Sequence, residues 1–139
     1  MNRQDAKTAK MEPEKYLDDL VHRIIGAAIE VHRELGPGYL ESVYEIALAT
    51  EFDLAGIVFE RQKIFALNYK GRRIGEGRVD YMIDNRLVLE IKAVEGLLPI
   101  HKAQVISYLK ATHCQIGLLI NFNEKILKNG IQRIIYSNG

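Results

Sequence analysis

RVDYMIDNRLVLEIK, residues 78–92, predicts two β-strands joined by a turn at Asp84-Asn85. Side chains alternate between the two faces of a strand, so each strand has one apolar face and one face that bears charge. The faces bearing charge carry Arg78, Asp80 and Met82 on the first strand and Val88, Glu90 and Lys92 on the second. The apolar faces carry Val79, Tyr81 and Ile83, then Leu87, Leu89 and Ile91.

The length of the turn decides whether Asp80 meets Glu90. A two-residue loop would place Asp80 opposite an apolar residue of the second strand, which mixes the two faces. A three-residue loop, 84–86, places Asp80 opposite Glu90. That loop needs a left-handed residue, for which Asn85 is better suited than Arg86. We therefore predict two carboxylates side by side, about 5 Å apart at Cβ.

Adjacent carboxylates repel each other, and a divalent cation is the usual means of compensating them. Mg²⁺ or Mn²⁺ suits such hard oxygen ligands. Lys92 follows Glu90 by two residues on the same face, where it could neutralise a phosphate oxygen or position and activate a water. This layout is the one needed for metal-assisted phosphodiester hydrolysis. The alternative, solvated charges on an exposed sheet face, is the better interpretation of an isolated pattern of this kind.

Two features on predicted helices add to the pattern. Gln104 and Tyr108 are four residues apart and share a helix face, with His101 one turn earlier; an amphipathic helix with a polar rim is the alternative. Glu41 shares a face with apolar Tyr44, where a carboxylate is costly unless it is paired or bound to metal. As the alternative, Glu41 caps its helix, because the dipole favours Glu at a helix start.

The rest of the chain predicts one mixed β-sheet flanked by helices, an α/β fold with the order ααβββαββ. The predicted helices cover residues 16–35, 39–55 and 99–112, and the predicted strands cover 58–69, 73–83, 87–93, 116–121 and 131–136. Residues 1–14 are polar and aperiodic, so we expect a mobile N-terminal tail followed by a single domain, 15–139.

Composition constrains the function and its setting. Nineteen basic and 18 acidic residues give a net charge of +1, so nucleic-acid binding would require positive charge concentrated on one face. Cys114, the single cysteine, permits no intrachain disulfide, and its place beside a buried strand favours packing over nucleophilic catalysis. No run of 18 apolar residues and no signal-peptide pattern is present, so we expect a cytoplasmic protein with no membrane partner.

The segment Gly38-Tyr39-Leu40-Glu41-Ser42-Val43-Tyr44 resembles the signature of the GxxExxY proteins. The resemblance extends along the chain from about residue 16. It includes Leu35-Gly36-Pro37-Gly38, Gly56-Ile57, Arg61-Gln62, Tyr69-Lys70-Gly71, Ile74-Gly75-Glu76, Asp80, Glu90-Ile91-Lys92-Ala93, His101-Lys102-Ala103-Gln104, Tyr108-Leu109-Lys110 and Leu119-Ile120-Asn121-Phe122. That family is assigned to the PD-(D/E)XK nuclease superfamily, which implies a restriction-endonuclease-like core.

The resemblance also implies roles for individual residues. Metal ligands would be Asp80, Glu90, the carbonyl of Ile91 and the helical Glu41, with Lys92 as the catalytic lysine. Gln104 and Tyr108 match a Q-x-x-x-Y motif that contacts the catalytic lysine or the nucleic acid, and Arg78 and Lys102 would add nucleic-acid contacts. His32 matches a histidine ligand of some members, although a core histidine is the preferred interpretation. Val79 stands where the superfamily often has proline.

We therefore expect a Mg²⁺- or Mn²⁺-dependent nuclease acting on nucleic acid, with DNA as the expected substrate. The alternative is a catalytically silent module on the same fold that binds nucleic acid or a protein partner. A hydrolase of small phosphorylated substrates ranks third. A basic rim is a further candidate feature, composed of Arg61, Lys63, Lys70, Arg72, Arg73, Arg78 and Lys102. Small members of the superfamily often form homodimers, which is the assembly that the resemblance implies.

Overall fold

The computed structural model describes residues 12–137 and shows the predicted order of elements. The helices are α1 (Glu12–Leu35), α2 (Glu41–Ala55) and α3 (Pro99–Thr112). The strands are β1 (Phe59–Tyr69), β2 (Arg72–Ile83), β3 (Leu87–Lys92), β4 (Ile116–Asn121) and β5 (Ile131–Ile135), and a 3₁₀ turn, Leu127–Gly130, precedes β5. None of the helices in residues 12–137 is long and apolar enough to cross a membrane.

Helix α1 begins at Glu12, four residues before the predicted start. The polar residues there lack the apolar spacing that marks an amphipathic helix, but proline in the first turn and Glu and Lys after it are compatible with helix. The helix ends as predicted at Gly36, whose φ of 69° is left-handed and whose N–H donates to the carbonyl of His32 at 2.8 Å. The predicted mobile tail, 1–14, falls on residues 1–11, which lie outside the described residues, and on residues 12–14 in the first turn of α1.

The five strands form one mixed sheet in the order β1-β2-β3-β4-β5. Neighbouring strands are antiparallel except for β3 and β4, which are parallel and are connected through α3. Helices α1 and α2 pack on one face of the sheet, and α3 packs on the other. The predicted α/β fold, a mixed sheet flanked by helices, is confirmed.

The turn between β2 and β3 has the three-residue length that the pattern predicts. Ile83 pairs with Leu87, and the Arg86 N–H donates to the Ile83 carbonyl at 3.0 Å. Asn85 is left-handed with a φ of 55°, and Asp84 is left-handed too, with a φ of 52°. Three residues further along the two strands, this register places Asp80 of β2 opposite Glu90 of β3.

The predicted alternation along β2 is wrong at Val79. This side chain packs beneath α3 with Met82 and Val88, whereas Tyr81 faces α1 and α2. The ladder between β1 and β2 is interrupted at the same point, opposite Gln62, whose φ is 51°. A left-handed residue bends a strand and re-aims its side chains. Alternation therefore breaks at Asp80, and both faces of the sheet centre are apolar.

Gly117 on β4 allows α3 to pack closely against the sheet. A Cβ at this position would lie 2.8 Å from Cγ1 of Val105 and 3.4 Å from Cδ2 of Leu109, both on the buried side of α3. The first of these distances is shorter than carbon atoms tolerate, so a larger residue would push the helix outward. Close packing here holds in place the face of α3 that carries Gln104 and Tyr108.

Candidate active site

Asp80 and Glu90 lie together where the ladder between β2 and β3 ends. The Asp80 N–H donates to Oε2 of Glu90 at 2.7 Å, and the Ile91 N–H donates to Oδ2 of Asp80 at 2.8 Å. Each carboxylate is thus held by the backbone of the opposite strand. The adjacency that the register predicts is present in the structure.

Burial and mutual repulsion leave this pair with excess negative charge. Glu90 is only 4% exposed, and burial followed by the charge of Asp80 raises its pKa from 4.5 to about 9. The positive charge of Lys92 acts in the opposite direction on the pKa of Glu90. A proton or a cation is therefore required to stabilise the pair.

Glu41 is the first residue of α2 and faces the same cluster. Burial, and after it the charge of Asp80, raises the pKa of its carboxyl, whereas Lys92 lowers that pKa. The two interpretations of Glu41 are compatible, because the residue stands at the helix start and also contributes charge to the cluster. Its neighbourhood with Asp80 and Lys92 brings three separate elements, α2, β2 and β3, to one site.

Helix α3 places Tyr108 on the other side of the cluster. Burial and then the charges of Glu90 and Asp80 raise the pKa of the half-buried Tyr108, and a hydrogen bond with Gln104 acts against this shift. The ring of Phe65, on β1, meets the Tyr108 ring edge-on at 5.3 Å. Gln104 and Tyr108 therefore share a helix face, as the helical spacing predicts, and Tyr108 lies near the carboxylates with the β1–β2 hairpin supporting its ring.

The other candidate residues lie outside this tight cluster. Lys102 and Arg78 are exposed, the latter two residues before Asp80 on β2. Nδ1 of His101 accepts a hydrogen bond from the Leu98 N–H at 2.9 Å, which caps the start of α3.

His32 and Cys114 have structural surroundings. Nε2 of His32 lies 2.7 Å from the carbonyl oxygen of Glu124, and the ring lies 6.5 Å from the ring of Phe122. Cys114 is buried, with its sulfur 3.8 Å from that of Met82. The geometry favours packing for both residues.

A second network, which the sequence patterns did not reveal, supports the cluster from behind. Glu45, one turn after Glu41, is 7% exposed and accepts hydrogen bonds from Arg61 and from Nε2 of Gln62, both at 2.7 Å. The same Nε2 atom lies 3.5 Å from Oδ1 of Asp80. Glu45 could have been identified from the sequence, because it lies four residues after Glu41 on the same helix. The left-handed conformation of the glutamine could not, because that conformation is rare for a residue with a side chain.

Asn121 fixes the chain directly after Lys92. Its side chain is fully buried and makes two hydrogen bonds with the backbone of Val94. Oδ1 accepts from the Val94 N–H at 3.0 Å, and Nδ2 donates to the Val94 carbonyl at 2.9 Å. Oδ1 also accepts from the N–H of Asn123 at 3.2 Å. The end of β3 is thereby tied to the end of β4.

Replacing Asn121 by alanine is expected to lower the free energy of unfolding by about 2–4 kcal/mol, because half-buried backbone groups of Val94 lose their hydrogen-bond partners. Denaturant unfolding followed by circular dichroism measures the change. Asn123→Ala, which keeps the backbone N–H of that residue, serves as the matched control and should change stability much less. Equal losses in the two variants would contradict the role of the Asn121 side chain.

The donor chemistry of the cluster fits a divalent cation, although the carboxylates are not gathered around one point. Within residues 12–137, no three His, Cys, Asp or Glu side chains are grouped closely enough to hold a metal ion. One oxygen of Asp80 and one of Glu90 already accept backbone hydrogen bonds. Their other oxygens, together with Glu41, are hard ligands of the kind Mg²⁺ and Mn²⁺ prefer, and their repulsion is what a cation would relieve.

With the fold and the carboxylate cluster established, the family can be identified. The chain belongs to the PD-(D/E)XK nuclease superfamily, whose model matches residues 18–134. Members of this superfamily are generally nucleases and generally use divalent metals such as Mg²⁺.

Comparisons with individual proteins add little to the family assignment. No curated protein matches the chain. A similar solved structure is the crystal structure of SSO0001, which is 24% identical to this chain with a TM-score of 0.48. The match covers 67% of this chain and 47% of that one, so the chain spans about half the length of SSO0001.

Proposed function

We propose that this protein is a divalent-metal-dependent nuclease that hydrolyses phosphodiester bonds, with DNA as its substrate, and that it belongs to the GxxExxY family. The observation that carries the proposal is that Asp80 and Glu90 lie together, each accepting a backbone hydrogen bond from the strand of the other. Lys92 lies on β3, the strand of Glu90. The raised pKa of Glu90 reflects the cost of ionising this carboxyl beside Asp80, a cost that a bound cation would offset.

Each residue has a distinct task in the proposed mechanism. Asp80, Glu90, Glu41 and the carbonyl of Ile91 would hold Mg²⁺ or Mn²⁺. When bound, the ion lowers the pKa of a water molecule and offsets phosphate charge. Lys92 orients the attacking water or stabilises negative charge on the phosphate.

The remaining candidate residues position the reacting groups. Tyr108 and Gln104 hold Lys92 or a phosphate in place from α3, and Lys102 and Arg78 contact the nucleic acid at the rim. The bridge from Gln62 to Asp80 and Glu45 restrains the carboxylates from the opposite side. Preorganised groups of this kind need little rearrangement when the substrate reacts.

The second candidate function is a non-catalytic nuclease-fold module that binds nucleic acid or a protein. One observation favours it: the described residues contain no grouping of three possible metal-binding side chains. The complete set of Asp80, Glu90 and Lys92 argues for catalysis, because a silent module has no need of a lysine beside one buried and one half-buried carboxylate.

The proposal is tested by cleavage of labelled single-stranded, duplex and branched DNA, with RNA in parallel, in Mg²⁺, Mn²⁺ or EDTA. We expect cleavage that requires metal, is lost in Asp80→Asn, and persists in the control Asp84→Asn. The control removes a carboxylate from the turn of the same strand pair, where left-handed asparagine is tolerated.

Three other outcomes have definite meanings. Cleavage that survives Asp80→Asn indicates a contaminating nuclease and counts against the proposed site. If no substrate is cut and Mg²⁺ leaves the melting temperature unchanged, the metal site is refuted and the non-catalytic module is favoured. Stabilisation by Mg²⁺ that Asp80→Asn removes would confirm the site even where cleavage requires another nucleic acid.

A further inference from the structure

The β1–β2 hairpin extends well beyond the rest of the sheet. Its ladder continues to the pair Tyr69 and Arg72, whereas the ladder between β2 and β3 stops at Tyr81. Every residue from 66 to 76 is exposed. We call residues 63–78 the arm.

Positive charge is concentrated in the arm. It holds five of the 19 basic residues of the chain and one of the 18 acidic residues, so the arm carries +4 and the remainder −3. The basic residues are Lys63, Lys70, Arg72, Arg73 and Arg78, and the acidic residue is Glu76. A nearly neutral chain can therefore present a strongly basic surface at one place, which is what binding to a polyanion requires.

The charges of the arm are held only by exposed contacts. Lys63 pairs with Glu60 at 2.9 Å and Arg73 pairs with Glu76 at 3.2 Å, with both pairs largely in solvent. Such ion pairs contribute little to stability, so their basic side chains are able to pair with other anions instead. Lys70 lies over the exposed ring of Tyr69 at 5.4 Å, an aromatic surface on which a nucleic-acid base can stack.

The base of the arm is anchored at the carboxylate cluster. Phe65 packs against Tyr108, and its ring covers Gly77, where a Cβ would lie 2.3 Å from the ring. Arg78 is two residues from Asp80. Six extended residues, 64–69, span about 20 Å. A polymer chain with one phosphate at the cluster would be able to run along this length.

We propose that the arm binds the phosphate backbone of the nucleic acid next to the position of cleavage. The inference rests on the proposed function, since it takes nucleic acid as the substrate. Contacts from Lys and Arg to phosphates are independent of sequence. If two copies of the chain paired along the free edge of β1, two arms of net charge +4 would lie side by side. Their electrostatic repulsion disfavours such a dimer.

The test measures binding of fluorescein-labelled duplex and single-stranded DNA by anisotropy in EDTA, over a range of NaCl concentrations. The test variant is Lys70→Ala/Arg72→Ala/Arg73→Ala, whose three residues are exposed. The control, Lys15→Ala/Arg86→Ala/Lys110→Ala, removes the same charge from exposed positions outside the arm. Melting curves of both variants verify folding.

We expect the arm variant to bind at least ~10-fold more weakly at about 0.1 M NaCl, with a log–log salt slope shallower by about 2–3. The control should bind nearly as the unmodified protein does. Equal affinity and slope for the arm variant, equal losses in the control, or no DNA binding by the unmodified protein would each overturn the proposal. The proposal would also be overturned if the unmodified protein and the control were dimers and the arm variant were a monomer, because the arm would then be a self-association surface.

Binding in EDTA separates this inference from the proposed nuclease activity. Arm-dependent binding, with no cleavage in any metal and no effect of Mg²⁺ on the melting temperature, would leave the arm proposal standing and refute the nuclease. Metal-dependent cleavage that the arm variant retains in full, with unchanged binding, would refute the arm alone.

Discussion

Replacing Lys92 by methionine is expected to slow metal-dependent cleavage by about 10²- to 10⁴-fold. Methionine keeps a flexible stem of similar length and removes the ammonium group that would orient water or stabilise the phosphate. Binding of Mg²⁺ should be retained or become tighter. Lys92 lies near enough to Glu41 and Glu90 to lower the pKa of both, so its positive charge also opposes an incoming cation.

Two measurements on the same variant distinguish catalysis from metal binding. Single-turnover cleavage measures the rate of the chemical step, and the Mg²⁺-induced rise in melting temperature measures metal binding at the site. At a free Mg²⁺ concentration of 100 times Kd, binding stabilises the folded protein by about 2.7 kcal/mol. Lys110→Met, an exposed lysine near the C-terminal end of α3, is the control and should behave as the unmodified protein does. Loss of both cleavage and Mg²⁺ stabilisation in Lys92→Met would show that Lys92 is needed for the fold of the site.

Replacing Glu90 by glutamine is expected to stabilise the metal-free protein at pH 8 and to abolish its response to Mg²⁺. Glutamine resembles the protonated glutamic acid: its oxygen can still accept from the Asp80 N–H, and it carries no charge against Asp80. At pH 8 the unmodified protein must either hold a proton on Glu90 or bury two repelling charges. The variant avoids this cost and also lacks a metal ligand.

The direction of the pH dependence follows from the raised pKa of Glu90. Between its ordinary value of 4.5 and about 9, the folded chain retains a proton that the unfolded chain has released. Because the folded state binds more protons, stability falls as the pH rises through this window. Thermal melts in EDTA at pH 5, 7 and 9 should show a smaller decline for Glu90→Gln than for the unmodified protein.

A matched control makes this result specific. Glu51→Gln changes another half-buried glutamate of the chain, on α2 and ten residues beyond Glu41, and should leave both the decline and the Mg²⁺ response in place. If Glu90→Gln is less stable than the unmodified protein at pH 8, repulsion between Glu90 and Asp80 is not the dominant effect at this position.

The sequence by itself determined the elements, their order and the acidic pair. Apolar periodicity located the helices and strands, because each must turn one face to the core. The requirement that apolar residues stay together selected the three-residue turn, and this register brings Asp80 and Glu90 together. Helical spacing likewise placed Gln104 and Tyr108 on one face of α3.

Only the tertiary structure decided where the pattern breaks and which contacts support the site. Val79 turns toward α3 next to the point where the ladder is interrupted at the left-handed Gln62, and the residue type of Gln62 does not predict that conformation. The contact between the Asn121 side chain and Val94 likewise depends on segments that are far apart in the chain. Local spacing determines which face a side chain occupies, whereas distant segments meet only through packing, and packing decides their contacts.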